Sequence, residues 1–474
     1  MVTVHSTSPQ FKANARRALG DEQLQRALTN VPGGFIVKRQ KAKDKLPEFE
    51  ALRDQARDIK DHTLAHLDAY LEEYEARVIA SGGHVHWCET PDEACQTVID
   101  ICRAHQARTV TKGKSMVTEE IHLNKALEAA GIEPVETDLG EYIIQLRGET
   151  PSHIIAPAVH LNKDQIEADF RATHTHLPAD RQLAEGAQLV NEARQILRQK
   201  YIDADVGITG ANFLVAETGT SIIVTNEGNG DLTQSLPKAH IVMATIEKIV
   251  PTLEDVSTIL RLLGRNGTGQ EFTSYTTFST GPRRSDDPDG PGEYHVVILD
   301  NGRTGMIGSE FQDMLRCIRC GACLNHCPVY QAVGGHAYGW VYPGPMGAVL
   351  TPSLIGVDEA GHLPNASTFC GRCEEVCPMR IPLPKMMRHW REREFERHLS
   401  PMMVRYGIAL WAFMARRPKL YRLATGIAAR LLKLWAGKTG RFETLAGAGG
   451  WTRHRDLPAP QGATFMAQWK RRKA

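Results

Sequence analysis

Cys317-Ile-Arg-Cys320-Gly-Ala-Cys323-Leu-Asn-His-Cys327-Pro328 carries the spacing C-x2-C-x2-C-x3-C-P. Iron in iron–sulfur clusters takes thiolate, and cysteines this close together wrap one cuboidal cluster. A second run follows, Cys370-Gly-Arg-Cys373-Glu-Glu-Val-Cys377-Pro378. Where two such runs are paired, the fourth cysteine of each crosses to the other cluster. The pattern assigns Cys317, Cys320, Cys323 and Cys377 to a first cluster, and Cys327, Cys370 and Cys373 to a second. The bland alternatives are a zinc site or a disulfide knot. Zinc motifs use ligands in two pairs and need neither seven cysteines nor two trailing prolines.

One ligand is missing from the second run. Matching the first run's spacing back from Cys377 reaches position 367, which is Ser367. Serine oxygen is a poorer iron ligand than thiolate. Three outcomes stay open: a 4Fe–4S cluster with Ser367 or solvent on the fourth iron, a 3Fe–4S cluster, or a ligand from a partner. Ser367 as a simple helix cap is the bland reading. The segment from Val329 to Phe369 is expected to loop out and return Cys377 to Cys317. Pro328 and Pro378 are expected to turn the chain after each crossing ligand.

The 474 residues exceed one ordinary core, so roughly two or three domains are expected. A net charge of +1 gives no nucleic-acid footprint. The cluster motifs point to a reducing compartment where thiols stay free. The segment from Met1 to Phe11 has no apolar signal-like region. No apolar stretch reaches the length of about 18 residues needed to span a membrane. Gly407–Ala415 is the most apolar stretch, and its face at Ile408, Trp411 and Phe413 is expected to be buried by the cluster domain or a partner.

Four regions follow. Residues 1–45 form a basic arm with a helix expected over Phe11–Ala27. Residues 46–302 alternate strands and helices, which implies a parallel sheet covered by helices. Thr90 and Pro91 open a helix to His105, and another is expected from Val117 to Ala130. His240–Ala244 and His295–Leu299 are continuous apolar runs, as buried strands require. Cys95 and Cys102 share a helix face and read, with Cys88, as core cysteines. Residues 303–395 are the cluster domain, mostly helical. Residues 396–474 hold amphipathic helices and a tail ending in Lys470-Arg-Arg-Lys473. The fold class is thus multidomain, α/β followed by α.

No catalytic residue is assigned. There is no G-x-G-x-x-G fingerprint in context and no nucleophile elbow. The turns at Lys112-Gly-Lys-Ser115 and Glu217-Thr-Gly-Thr220 flank strand ends, and they are expected to line one pocket. The bland reading of the second is a hydrogen-bonded hairpin.

The chain resembles the lactate utilization protein B family over almost its whole length. Besides the cysteine runs, the resemblance rests on Ile208-Thr-Gly-Ala-Asn-Phe213, Ala216-Glu-Thr-Gly-Thr220, Ser367-Thr-Phe-Cys370 and Trp451-Thr-Arg-His-Arg-Asp-Leu-Pro458. It implies a LUD domain similar in fold to ribose-5-phosphate isomerase and CoA transferases, and a ferredoxin-type domain. It implies two 4Fe–4S clusters on the two cysteine sets above. The implied setting is cytoplasmic oxidation of L-lactate to pyruvate. The implied partners are a cysteine-rich redox subunit, whose adjacent Cys-Cys pairs this chain lacks, and a second LUD-domain protein. The chain then reads as an electron-carrying component rather than a complete enzyme. The rivals are a self-sufficient enzyme whose LUD-like domain acts on a carboxylate or phosphate, and an iron–sulfur sensor or assembly platform.

Overall fold

The computed structural model describes residues 6–113, 115–452 and 455–473. Lys114 of the first turn and Arg453 and His454 of the closing stretch lie outside the described residues. The chain divides into two units, Met1–Glu396 and Arg397–Ala474.

The first unit holds β1 (His84–Cys88), β2 (Thr109–Lys112), β3 (Glu133–Glu136), β4 (Val206–Gly210), β5 (Phe213–Val215), β6 (Thr220–Thr225), β7 (Ala239–Thr245), β8 (Ile249–Val250), β9 (Tyr275–Ser279) and β10 (Glu293–Leu299). Six of them form a sheet in the order β1-β10-β7-β4-β2-β3. Every pairing in it is parallel. β7 is buried at all seven positions and β4 at all five, as central strands covered on both faces must be. Strand alternation divides their side chains between two cores. Ile241, Met243, Val297 and Leu299 face one layer with Cys88, Cys95 and Cys102. Val242, Ala244, Val296 and Ile298 face the other, with Leu71, Tyr74 and Val78. The three upstream cysteines are therefore core residues, and burial pushes the Cys95 and Cys102 thiols up to about 12.

The remaining strands form a second sheet, β8-β5-β6-β9. Its β5–β6 hairpin turns at Gly219, whose φ is +68° and whose Cβ position lies 2.7 Å from the Val78 backbone nitrogen. Only glycine meets both demands. Pro91–Ala104 forms a helix with a full capping box between Thr90 and Glu93.

Three expected elements differ. The helix over Phe11–Ala27 is two helices, Phe11–Gly20 and Glu22–Leu28, because Asp21 accepts from Gln23 and Leu24 N–H and restarts the chain. The helix over Val117–Ala130 is also two, Met116–Glu120 and Leu123–Ala129, divided by left-handed His122. The segment from Val329 to Phe369 is not a loop. Its helix Gly344–Ile355 is buried at Met346, Val349 and Leu350, and Trp390 Nε1 donates to the Val349 carbonyl at 2.9 Å.

The cysteine segment shares one apolar core with the α/β part. Phe49, Leu52 and Ile259 meet Leu315, Leu324 and Met387 there. The N-terminal arm joins it too: Thr7 N–H donates to the Gly339 carbonyl, and Ser8 Oγ to that of Tyr338.

The second unit carries helices Met402–Ala415 and Pro418–Ala436. Ile408, Trp411 and Phe413 are about half exposed. No helix among the described residues is long and apolar enough to cross a membrane.

Candidate iron–sulfur centre

Each cysteine run folds the same way. A 3-10 turn, Gln312–Arg316 or Leu363–Ala366, precedes the first ligand position. Left-handed Arg319 and Phe369 precede Cys320 and Cys370, and left-handed Gly321 and Gly371 follow them. Short helices Ala322–Asn325 and Arg372–Glu375 then carry Cys323 and Cys373. Pro328 opens the helix Pro328–Val333 instead of breaking structure, because its missing N–H costs nothing at a first helical position.

The thiols fall into two neighbourhoods. Burial, then Cys317, Cys320, Cys373 and Cys377, pushes the Cys323 thiol far up. Burial and then Cys377 push Cys320 up to about 12. Burial raises Cys377 to about 11, with Cys317 adding to the rise. Cys373 is pushed up to about 12 by burial, then by Cys327 and Cys370. Cys317, Cys320, Cys323 and Cys377 are thus electrostatic neighbours, as are Cys327, Cys370 and Cys373. Cys323 stands next to both groups. Cys370 is exposed, whereas Cys320 and Cys377 are buried. All ten cysteines are free. Thiols that oppose one another's ionisation are a donor set that ionises when a metal supplies positive charge. Arg53 ties the first group to the α/β part, donating through Nε and Nη2 to the Cys377 carbonyl at 3.1 and 2.6 Å.

Ser367 occupies the place in the second run that Cys317 holds in the first. It is not a helix N-cap. Its Oγ accepts the Phe369 N–H at 3.1 Å, closing a local turn. Its carbonyl accepts from Arg391, whose guanidinium lies 4.1 Å from the Phe369 ring centre.

A cavity of about 240 Å³ abuts the first cysteine group. Ser115, Asp138, Gly210 and Thr245 line it from the carboxyl ends of β2, β3, β4 and β7, where parallel sheets hold ligands. Arg319, Cys320 and Tyr342 close it from the cysteine segment. Its wall rests on buried charge. Glu247 accepts from Arg319 Nη2 at 3.2 Å and pairs with Arg303 Nε at 3.1 Å. Arg303 also pairs with Glu120 at 2.7 Å, and Tyr342 Oη donates to that carboxylate at 2.7 Å. Burial disfavours the Glu247 carboxylate, yet Arg303 and Arg319 hold it down at about 2. Burial, helped by Arg319, lowers the Lys248 ammonium to about 8.

The expectation that Glu217 and the 112–115 turn share a pocket fails. Ser115 lines the cavity, but Glu217 does not. Its Oε1 accepts the Leu253 N–H at 2.7 Å, at the start of the helix Leu253–Gly267. Lys112 is enclosed between Glu119 and Glu136 at 2.8 and 2.7 Å. Lys248 and Arg319 went unread in the sequence. A charged Glu-Lys pair directly after the apolar β7 run was the signal that marked the strand's carboxyl end.

Fold and site together define a LUD-type α/β protein with an iron–sulfur dicluster segment. Family models match accordingly: "LUD domain" over residues 71–299, "4Fe-4S dicluster domain" over 313–381, and "Lactate utilisation protein B, C-terminal" over 380–474. Lactate utilization protein B of Macrococcus caseolyticus is 43% identical over 459 residues, covering 96% of this chain and 95% of that one. An uncharacterized electron transport protein, YkgF, of Escherichia coli is 40% identical over 474 residues, 100% and 99% of the two chains. Lactate utilization protein B of Oceanobacillus iheyensis is 42% identical over 467 residues, 98% and 96%. The chain belongs to the lactate utilization protein B family.

Proposed function

We propose that this chain is the iron–sulfur electron-transfer subunit of a cytoplasmic system that oxidises L-lactate to pyruvate. Cys317, Cys320, Cys323 and Cys377 hold one 4Fe–4S cluster. Cys327, Cys370 and Cys373 hold a second, of 4Fe–4S or 3Fe–4S type, with Ser367 at its open corner. Such clusters supply one-electron storage and transfer when bound. The observation that carries the reading is that the seven free thiols of the two runs neighbour one another, with Cys323 next to both groups and Cys370 exposed at the surface. Residues 46–302 serve as the LUD-like part and 303–395 as the cluster part.

The partners are a cysteine-rich redox subunit and a second LUD-domain protein. Two features of the second unit support such contacts. Met403, Tyr406, Leu410 and Trp411 are exposed on one helix, and exposed apolar patches mark contact surfaces. Residues 397–474 contain 16 Lys and Arg against only Glu443 and Asp456, which suits an acidic partner surface. The test is anaerobic co-purification with both partners, followed by lactate-dependent dye reduction. The reconstituted chain alone accepts electrons from a chemical reductant without turning over lactate, and the assembly turns it over. Undiminished turnover with a chain stripped of iron overturns the reading.

A further inference from the structure

We propose that Glu149, His160 and His336 bind one divalent transition-metal ion of the zinc class, which clasps the loop between helices Leu139–Arg147 and Lys163–Thr173 to the cysteine segment. One ligand atom from each of the three residues lies within 4.8 Å of the other two. Hydrogen bonds fix which nitrogens are left to ligate. Ser152 Oγ lies 2.9 Å from the Pro157 carbonyl oxygen, which only accepts, so the single hydroxyl proton points there. His160 Nδ1, 2.7 Å from the same Oγ, is therefore the donor in that contact. His160 Nε2 then turns a lone pair to Glu149 Oε2 at 2.8 Å. Two acceptors at that distance call for a cation between them. His336 Nε2 donates to the Thr150 carbonyl at 2.7 Å, so His336 Nδ1 also carries a lone pair. A proton would join only His160 to Glu149, whereas a metal ion takes all three donors.

Each ligand already has the outer partner that metal-bound side chains use for orientation. Ser152 Oγ holds His160 Nδ1, the Thr150 carbonyl holds His336 Nε2, and Arg147 Nε donates to Glu149 Oε1 at 2.9 Å. Arg147 also pairs with Asp169 at 2.7 Å, so Arg147, Glu149 and Asp169 sum to one negative charge. Two imidazoles and one carboxylate suit zinc, whereas magnesium and calcium take oxygen ligands. His336 is exposed, which leaves a fourth position open to water. The ligands come from two sides of a close contact: Glu149 and His160 belong to the loop, and His336 to the cysteine segment. Gly335 permits the approach, since a Cβ there would lie 1.7 Å from the Ser152 carbonyl oxygen. Tyr330 Oη donates to that carbonyl at 2.7 Å, and His153 Nε2 lies 2.9 Å from Asn325 Oδ1. The ion thus fastens the loop over the helices Ala322–Asn325 and Pro328–Val333, which follow Cys320 and Cys327. The comparable group His105, Glu293 and His295 is satisfied without an ion, because both Nε2 atoms reach one Glu293 oxygen, at 3.2 and 3.3 Å.

The test titrates the anaerobically reconstituted full chain, its thiols occupied by iron, with Zn²⁺ against a chromophoric chelator. Zinc is counted, and its X-ray absorption fine structure is recorded. The wild-type chain is expected to hold one equivalent that His160→Ala and His336→Ala both lose, with affinity at this site reduced roughly a hundredfold or more. His336 is exposed, so His336→Ala keeps the fold, which its circular dichroism melt verifies, and the result stands even if His160→Ala fails to fold. The zinc lost in the variants has nitrogen and oxygen neighbours at about 2.0–2.2 Å and no sulfur at about 2.3 Å. Zinc slows amide hydrogen exchange over residues 149–162 in the wild-type chain and leaves it unchanged in His336→Ala. Equal zinc content in the wild-type chain and His336→Ala, sulfur neighbours around the zinc in question, or exchange that zinc does not slow in the wild-type chain overturns the proposal.

Discussion

Glu247→Gln removes the carboxylate that joins Arg303 to Arg319 across the junction of the sheet and the cysteine segment. The charge is fully buried, and its pKa falls from 4.5 to about 2 under the influence of the two guanidinium groups. Each unit is worth about 1.4 kcal/mol, so the ionised form contributes about 3 kcal/mol. Because the folded-state pKa is the depressed one, that stability is present above pH 4.5 and lost as pH falls through about 2. Removing one partner of a buried pair costs about 3–5 kcal/mol, which agrees. Urea denaturation at near-neutral pH, followed by circular dichroism, is expected to show Glu247→Gln destabilised by about 3 kcal/mol. Adding Arg319→Met is expected to recover part of the loss, because it removes the cation that Glu247 alone pairs among the described carboxylates, whereas Arg303 keeps Glu120. A loss below about 1 kcal/mol would show that the network is solvated and the reasoning mistaken.

Other positions test other layers of the structure. Gly207→Ala places a Cβ 1.8 Å from the Thr233 carbonyl oxygen, so soluble yield and melting temperature fall sharply; Gly228→Ala meets nothing within 4 Å and is near neutral in the same melts. Thr90→Ala breaks the capping box at Pro91–Ala104 and costs about 1 kcal/mol in denaturant titration. His240 is buried, accepts or donates to Thr209 Oγ1 at 2.8 Å, and is lowered from 6.5 to about 3 by burial. The unfolded state therefore binds the extra proton, and stability falls as pH drops from 6.5 towards 3. His240→Gln is expected to flatten that slope by about 1.4 kcal/mol per pH unit, read from urea midpoints at several pH values.

Local features were legible where one stretch of chain decides them. Thr90, Pro91 and Glu93 carry their own cap, and the apolar runs at His240–Ala244 and His295–Leu299 demand burial wherever they lie. The cysteine spacing also acts locally, through turns that need left-handed Gly321 and Gly371. The break at His122 was not legible, since no glycine or proline marks it and tertiary packing imposes the left-handed residue. The cavity was not legible either. Glu120, Glu247, Arg303 and Arg319 come from four separated segments, and only the shared core brings them together. Glu217 misled because a carboxylate beside a turn looks the same whether it binds a ligand or the Leu253 N–H.

The crossed assignment of the seven cysteines is tested most directly by EPR of reduced, anaerobically reconstituted single variants, with iron counted in each. The wild-type chain is expected to hold roughly eight iron atoms, or about seven if the second cluster is 3Fe–4S. Cys377→Ala is expected to leave the same residual spectrum as Cys320→Ala, and Cys327→Ala the same as Cys373→Ala. If Cys377→Ala instead matches Cys373→Ala, each run holds its own cluster and the crossed assignment is wrong.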